Sequence, residues 1–382
     1  MYLKKLSLSS VRNYRRLDIE LGPGLNLFFG DNAQGKTNLL EAVYMLASLR
    51  SFRGVKAPAL LSWGGNEGAI RGEAGTQNRT PTPVPPPVAG EGLRERGWSP
   101  RRLQVSLFKD GRQARLDGKR PGSAREYLLA LRVASFSPED LFLVKEYPSH
   151  RRRFLDRSVF HASPGYIDLA GRARAAVKQL NAALRAGDQK VVASYEEVLA
   201  PLAAEVTFMR RLRAGQLGPM AADLYGRVLG GGELGLEYRS SAKGEDRAAL
   251  EKSYRNLLVK KRPDGLKRGI CMVGPQSDDL VITLSGRDIK GSASRGQSRL
   301  AMLALVLADS GLYRQERGSW PVLLLDDVAS ELDERRKDAL FGYIAGMGQV
   351  LLTSTDHAQI NGRAGQKFKV TADGDGAHVV QA

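Results

Sequence analysis

Leu25-Asn26-Leu27-Phe28-Phe29-Gly30-Asp31-Asn32-Ala33-Gln34-Gly35-Lys36-Thr37-Asn38-Leu39-Leu40 is the stretch that decides the architecture. An apolar run of strand length ends at a glycine. Gly30 to Thr37 then fits G-x-x-x-x-G-K-[ST] without a mismatch, and Leu39, Leu40, Val43 and Leu46 recur at helical spacing up to Leu49. Strand, glycine loop and helix follow in the order the motif requires. In such a loop the backbone N–H groups of Gly30, Asp31, Asn32, Ala33, Gln34 and Gly35 can turn toward phosphate oxygens, and the helix N-terminus adds its dipole. Lys36 would reach the β and γ oxygens of a nucleotide and Thr37 would ligate Mg²⁺, so ATP and Mg²⁺ are the expected cofactors.

Outward from this stretch, period-two runs at 3–8 and 17–21 and the Gly22-Pro23-Gly24 turn predict a small sheet. Residues 103–109 and 114–117 flank Asp110-Gly111, a dipeptide suited to the positive φ angles of a hairpin turn. Between them, 76–97 carries Pro81, Pro83 and Pro85-Pro86-Pro87 and is expected to be a disordered insertion. From Pro148 to about Leu229 the pattern is helical and basic. Strand patterns return at 280–284, 322–325 and 349–353, with helical patterns at 298–311 and 334–346. The expected fold class is α/β: a mixed sheet with flanking helices formed by 1–147 and 260–382, interrupted by a mainly helical lobe at 148–259.

Val322-Leu323-Leu324-Leu325-Asp326-Asp327 is an apolar strand ending in two carboxylates. Beside a phosphate loop, Asp326 would hold Mg²⁺ through water, and Asp327 would orient or deprotonate the attacking water. Ser294-Arg295-Gly296-Gln297 stands 29 residues before Asp326 (326 − 297 = 29) and directly before a predicted helix. Two readings stay open for Ser294, Gly296 and Gln297: a cap for their own helix, or a second phosphate-binding turn.

The 382 residues suffice for two or three domains at roughly 100 to 200 residues each. A hydrophobic share of 42% and a charged share of 26% exclude wholesale disorder and fibrous architectures. Fifty-eight basic against 41 acidic residues give +17, a field that draws nucleic acid, nucleotides or acidic membrane surfaces. Cys271 is the one cysteine, which excludes a disulfide framework and fits a reducing compartment. The longest wholly apolar run, 300–308, has nine residues, against about 20 for a membrane span. The start shows no signal-type segment, so a cytoplasmic location and no membrane partner are expected.

Phosphate loop, signature-like turn, acidic strand and Ser330-Glu331-Leu332-Asp333, in that order, resemble the ATP-binding-cassette (ABC) superfamily, and the wide gap between loop and turn resembles SMC-type heads. Further blocks are similar to the RecF family of bacterial DNA replication and repair proteins. They are Val11-Arg12-Asn13-Tyr14-Arg15, Gly35 to Ala42, Arg50-Ser51-Phe52-Arg53, Phe136 to Leu141, Arg151 to Asp156, Leu323 to Asp333 and Thr353-Ser354-Thr355-Asp356. Gln276-Ser277 departs from the family's His-Arg, Arg295 adds a charge to the signature, and Glu146-Tyr147 stands where Gly-Ser is usual.

The resemblance implies an ABC-type ATPase head whose two protomers sandwich ATP, each phosphate loop completed by Ser294, Gly296 and Gln297 of the other. It implies a homodimer that closes with ATP on gapped DNA at a single-strand/double-strand junction. A weak, DNA-stimulated ATPase would release the clamp, with RecR as a partner and help to RecA loading as the outcome. A P-loop enzyme on a small molecule would need Lys36 and Thr37 but neither the signature turn nor +17. A transporter ATPase, or one serving another assembly, would share the signature but normally lacks so long a segment before it. His357 lies near a switch-histidine position but reads as a surface loop histidine, and Arg151-Arg152-Arg153 either tracks DNA phosphates or is a solvated face.

Overall fold

The computed structural model describes residues 1–75, 100–138, 147–230, 232–330, 332–355 and 364–382. The insertion expected at 76–97, together with Asp356 and His357, lies outside the described residues. By internal contacts the chain divides into two compact units, Met1–Glu139 with Tyr313–Ala382, and Asp140–Leu312. The second unit reaches further along the chain than the lobe drawn at 148–259 from the sequence.

The first unit opens with β1 (Tyr2–Val11), β2 (Tyr14–Glu20), β3 (Leu25–Phe29) and α1 (Lys36–Ser48), and continues with β4 (Glu67–Gly75), β5 (Arg101–Phe108), β6 (Gly111–Leu116), α2 (Ala124–Ala130) and β7 (Val133–Phe136). In the second unit lie α3 (Pro148–Ala162), α4 (Tyr166–Ala186), α5 (Gln189–Arg227), β8 (Leu234–Arg239), α6 (Arg247–Arg268), β9 (Asp279–Leu284), β10 (Arg287–Asp288) and α7 (Ile289–Ser292). The chain returns through α8 (Arg295–Arg317) to β11 (Val322–Leu325), α9 (Glu334–Ala345), β12 (Val350–Ser354), β13 (Gln366–Asp373) and β14 (Gly376–Gln381).

Two sheets build the first unit. One is antiparallel in the order β2-β1-β4-β5-β6; the other runs β14-β13-β3-β12-β11-β7. In the second sheet β13, β3, β12, β11 and β7 pair in parallel, and β14 closes one edge antiparallel to β13. Parallel strands buried on both faces read as unbroken apolar runs, and all four residues of β11 are buried. On β1 a register shift between Leu3 and Lys5 moves the buried set from Leu3 to Leu6 and Leu8, as a bulge does. Leu39, Leu40, Val43 and Leu46 of α1 share one core with Leu6, Ile70 and Val105 of the first sheet and Phe28, Leu324 and Leu351 of the second.

The predicted hairpin forms, but its turn is Lys109-Asp110: Phe108 pairs with Gly111, and neither Asp110 nor Gly111 takes a positive φ. Among the described residues no helix is long and apolar enough to cross a membrane.

The second unit is pinned by buried ion pairs. Arg151, only 1% exposed, meets Asp279 through two 2.8 Å hydrogen bonds, and Arg152 donates to the Asp278 carbonyl at 2.6 Å. Of the basic run at 151–153, only Arg153 is exposed. Its first two members hold α3 to the segment entering β9. Asp309 of α8 is buried against Ser158 and His161 of α3, and Arg213 of α5 donates to it at 3.0 Å.

Candidate nucleotide-binding site

The carboxyl ends of β3, β12 and β11 lie side by side, because Ser354 is in register with Phe29 and Leu325 with Leu352. Ligand sites of open α/β sheets form at this end. Gly30 leaves β3 at φ 152°, where an added Cβ would come within 2.2 Å of the Val370 carbonyl oxygen. Gly35 starts α1 at φ 110° with no side-chain cap, so the first helical N–H groups stay available to an anion. Asn13 Nδ2 donates to the Gln34 carbonyl at 3.2 Å, Tyr14 OH to the Gly35 carbonyl at 3.1 Å, and the Ala372 N–H to Gln34 Oε1. The loop is thus held from two sides, by the β1–β2 turn and by the β13–β14 hairpin.

Lys36 Nζ donates to the carbonyls of Gly30 at 2.7 Å and Asp31 at 2.6 Å. Burial lowers its pKa from the usual ammonium value, while the carboxylates of Asp327, Asp326 and Asp31 act the other way. Asp31, Asn32 and Ala33 form the exposed tip of the loop. Thr37 Oγ1 donates to Asp326 Oδ1 at 3.0 Å, and Thr353 Oγ1 donates to the same oxygen at 2.6 Å. Thr353 Oγ1 also accepts the Asp327 N–H at 3.0 Å, and Ser330 Oγ donates to Asp327 Oδ2 at 2.8 Å. Asp327 has φ 47°, a left-handed conformation that side-chain-bearing residues seldom take. Mg²⁺ takes one or two side-chain oxygens alongside phosphate oxygens and water, and the adjacent Thr37 and Asp326 oxygens fit that requirement.

A polar cluster beneath the loop was not anticipated. Glu41 of α1, fully buried, accepts from Arg12 at 2.9 and 3.1 Å and from Ser51 at 2.5 Å, with Arg53 at 3.5 Å. Arg53 also donates to Asn38, which donates to Asn13. The signal was present in Arg12-Asn13 and Arg50 to Arg53, but the pairing depends on how α1 folds back.

Ser294, Gly296 and Gln297 belong to the second unit. The Gln297 N–H donates to Ser294 Oγ at 3.2 Å, and the Ser294 N–H donates to Gln297 Oε1 at 2.9 Å, a reciprocal capping box. Gly296 has nothing within 4 Å of where a Cβ would stand. Gln276 and Ser277 bond to their own turn, donating to the carbonyls of Val273 at 3.0 Å and Gly274 at 2.7 Å.

Fold and loop together define an α/β ATPase head of the ABC type. The RecF/RecN/SMC N-terminal-domain family model matches residues 2–377. DNA replication and repair protein RecF of Anaeromyxobacter dehalogenans strain 2CP-1 is 35% identical over 96% of this chain and 95% of its own. That of Symbiobacterium thermophilum is 38% identical over 93% and 92%. A solved structure described as the recombination mediator protein RecF with ATP in the RecFOR pathway superposes with a TM-score of 0.85 at 27% identity, covering 100% of this chain and 97% of that one. An SMC head bound to the C-terminal winged-helix domain of ScpA, at TM-score 0.58 and 14% identity over 100% and 98%, shares the fold. The chain belongs to the RecF family of DNA replication and repair proteins.

Proposed function

We propose that the protein is an ATP-dependent DNA-binding mediator of recombination and repair, two copies of which close around ATP and open on its hydrolysis. The observation that carries this reading is the meeting of Thr37 with Asp326, which joins phosphate loop to acidic strand in a chain of this family. Gly30 to Gly35 would present N–H groups to the phosphates and Lys36 its charge to the β and γ oxygens. Thr37 and Asp326 would hold Mg²⁺, which when bound neutralises developing charge on the phosphates. Asp327, held by Ser330 and by its own amide on Thr353, would orient the attacking water.

The nucleotide-binding part on this reading comprises 1–147 and 260–382, with 148–259 as a helical lobe. Ser294, Gly296 and Gln297 cap α8 within one chain and would meet the γ-phosphate of the other. A glycine in a helical turn costs roughly 0.5–1 kcal/mol relative to alanine, and Gly296 has open space around it, which supports a close approach from outside the chain. The charge of +17 supports DNA as the polyanion. Gapped DNA, RecR and RecA loading are what the resemblance to the RecF family implies, and the likeness to a recombination mediator of the RecFOR pathway supports a role in recombination.

The test mixes Ser294→Arg with Lys36→Ala. Each alone should be inactive as an ATPase, Ser294→Arg still binding ATP. Their heterodimer holds one site with both parts intact and should recover part of the activity. Normal ATP-driven dimerisation and turnover by Ser294→Arg alone would overturn the shared site.

A further inference from the structure

Trp63 is fully exposed, at 104% relative accessibility, whereas large aromatic side chains are normally sequestered or held at contact surfaces. Its position is set by backbone: the Ser62–Gly65 turn closes through the Gly65 N–H on the Ser62 carbonyl at 2.9 Å. The Ser62 N–H donates to the Ser10 carbonyl at 3.1 Å, and Leu61 bridges to Val11. Four residues on, Glu67 pairs with Phe108, which brings the Lys109-Asp110 turn of β5–β6 to this same end of the five-stranded sheet.

Lys109 and Arg112 are exposed there, as are Arg50 and Lys56 in the segment leading to the 3₁₀ turn Ala57–Leu60. Arg112 has its pKa lowered, first by partial burial and then by the charge of Arg50, so the two guanidiniums repel. Among the described residues none of these four cations is held in a salt bridge. Glu67 and Asp110 are the exposed carboxylates nearby. Neighbouring cations around an exposed indole complement a chain that carries phosphates and a flat apolar ring.

We propose that this end of the sheet binds single-stranded DNA, with Trp63 stacked on an unpaired base and Arg50, Lys56, Lys109 and Arg112 on the flanking phosphates. An indole offers its face to any base, but in an intact duplex the bases are already stacked on one another, so the ring selects the unpaired strand. The inference rests on the reading of the protein as a DNA-binding mediator at gapped DNA and adds to it a place for the unpaired strand.

The test uses the full-length protein with ATP and Mg²⁺, and two fluorescein-labelled probes of equal length: a duplex with a single-stranded oligo(dT) tail and a blunt duplex. Wild type is measured first; failure to bind either probe would count against the proposed function itself. Trp63→Ala should lose about 5-fold to 100-fold in affinity for the tailed probe, change less than 2-fold on the blunt one, and keep wild-type ATP binding and melting temperature. Trp63→Phe should restore most of the loss. Arg50→Glu with Arg112→Glu should weaken tailed binding and flatten its salt dependence. Unchanged tailed binding by Trp63→Ala, or equal loss on both probes, overturns the inference. So does a change confined to oligomeric state, which would make Trp63 a protein contact.

Discussion

Thr37 and Asp326, 289 positions apart in sequence, are hydrogen-bonded at 3.0 Å, and the Asp326 oxygen that accepts this bond also accepts from Thr353 at 2.6 Å. Thr353 therefore governs both carboxylates: its hydroxyl donates to Asp326 and accepts the Asp327 amide. Thr353→Val keeps the shape and removes that hydroxyl. ATP affinity should stay within about 3-fold, while kcat falls by about 10-fold or more as Asp326 and Asp327 lose their common support. A proportional loss in binding, with kcat intact, would show that Thr353 serves the loop instead.

Lys36→Ala removes the one ammonium that the loop places on its own carbonyls. Nucleotide binding and all ATP-dependent steps should be lost. Titration calorimetry giving near wild-type ATP affinity would refute the role of Lys36.

Asp327→Asn should leave ATP binding intact and slow hydrolysis by about 100-fold or more, within the range general-base removal costs. On the clamp reading the variant should accumulate as an ATP-bound dimer, visible as a doubled mass in solution. Rapid turnover by this variant would move the water-orienting role elsewhere.

Gly30→Ala forces a Cβ within 2.2 Å of the Val370 carbonyl oxygen at φ 152°. Backbone must shift at the junction of β3 with the loop. A loss of about 2 kcal/mol or more in stability, together with weakened ATP binding, is expected from such strain. Chemical denaturation and calorimetry read the two effects separately.

Asp309 gives a pH signature. Burial pushes its carboxyl pKa up, but His161, Arg213 and Ser158 outweigh it and hold the group well below the usual carboxylate range. A depressed folded-state pKa means stability present above the unfolded value near 3.9 and lost as pH falls below it. Asp309→Asn takes from buried Arg213 its facing carboxylate charge, while its bond to Ser158 remains, and should cost about 3–5 kcal/mol at neutral pH. The gap to wild type should narrow below about pH 4, as urea titrations across that range would show.

Local signals carried far. Strand, loop and helix at 25–49 are contiguous, and α1 at Lys36–Ser48 and β11 at Val322–Leu325 fall where apolar spacing put them. The helix expected from 298 begins at Arg295 because Ser294 and Gln297 cap each other, a pairing readable only once the cap is recognised as a box. Glycine-rich β4 is not legible as a strand because its sequence favours turns. Gly72 is there for space: a Cβ would stand 2.6 Å from Leu46 and 2.8 Å from Leu3. The first strand of the β13–β14 hairpin does carry a sequence signal, Phe368 and Val370 alternating with Lys367 and Lys369. Arg151 fits neither a DNA-phosphate contact nor a solvated face, because its carboxylate partner Asp279 lies 128 positions away and no local pattern announces the pair.

The order of strands in the nucleotide-binding sheet has a consequence for how the protein is born. β3 is synthesised as residues 25–29, yet its two neighbours are β12 and β13, at 350–354 and 366–373. At ribosomal speeds of about 5–20 residues per second, the nascent chain waits on the order of tens of seconds before Leu27 and Phe28 acquire the strands that cover them. Until then Gly30 has no Val370 carbonyl beside it and Gln34 no Ala372 amide to accept. The phosphate loop therefore gains its bracing from Val370 and Ala372 only once β13 has emerged, and until then it is held from the β1–β2 side alone.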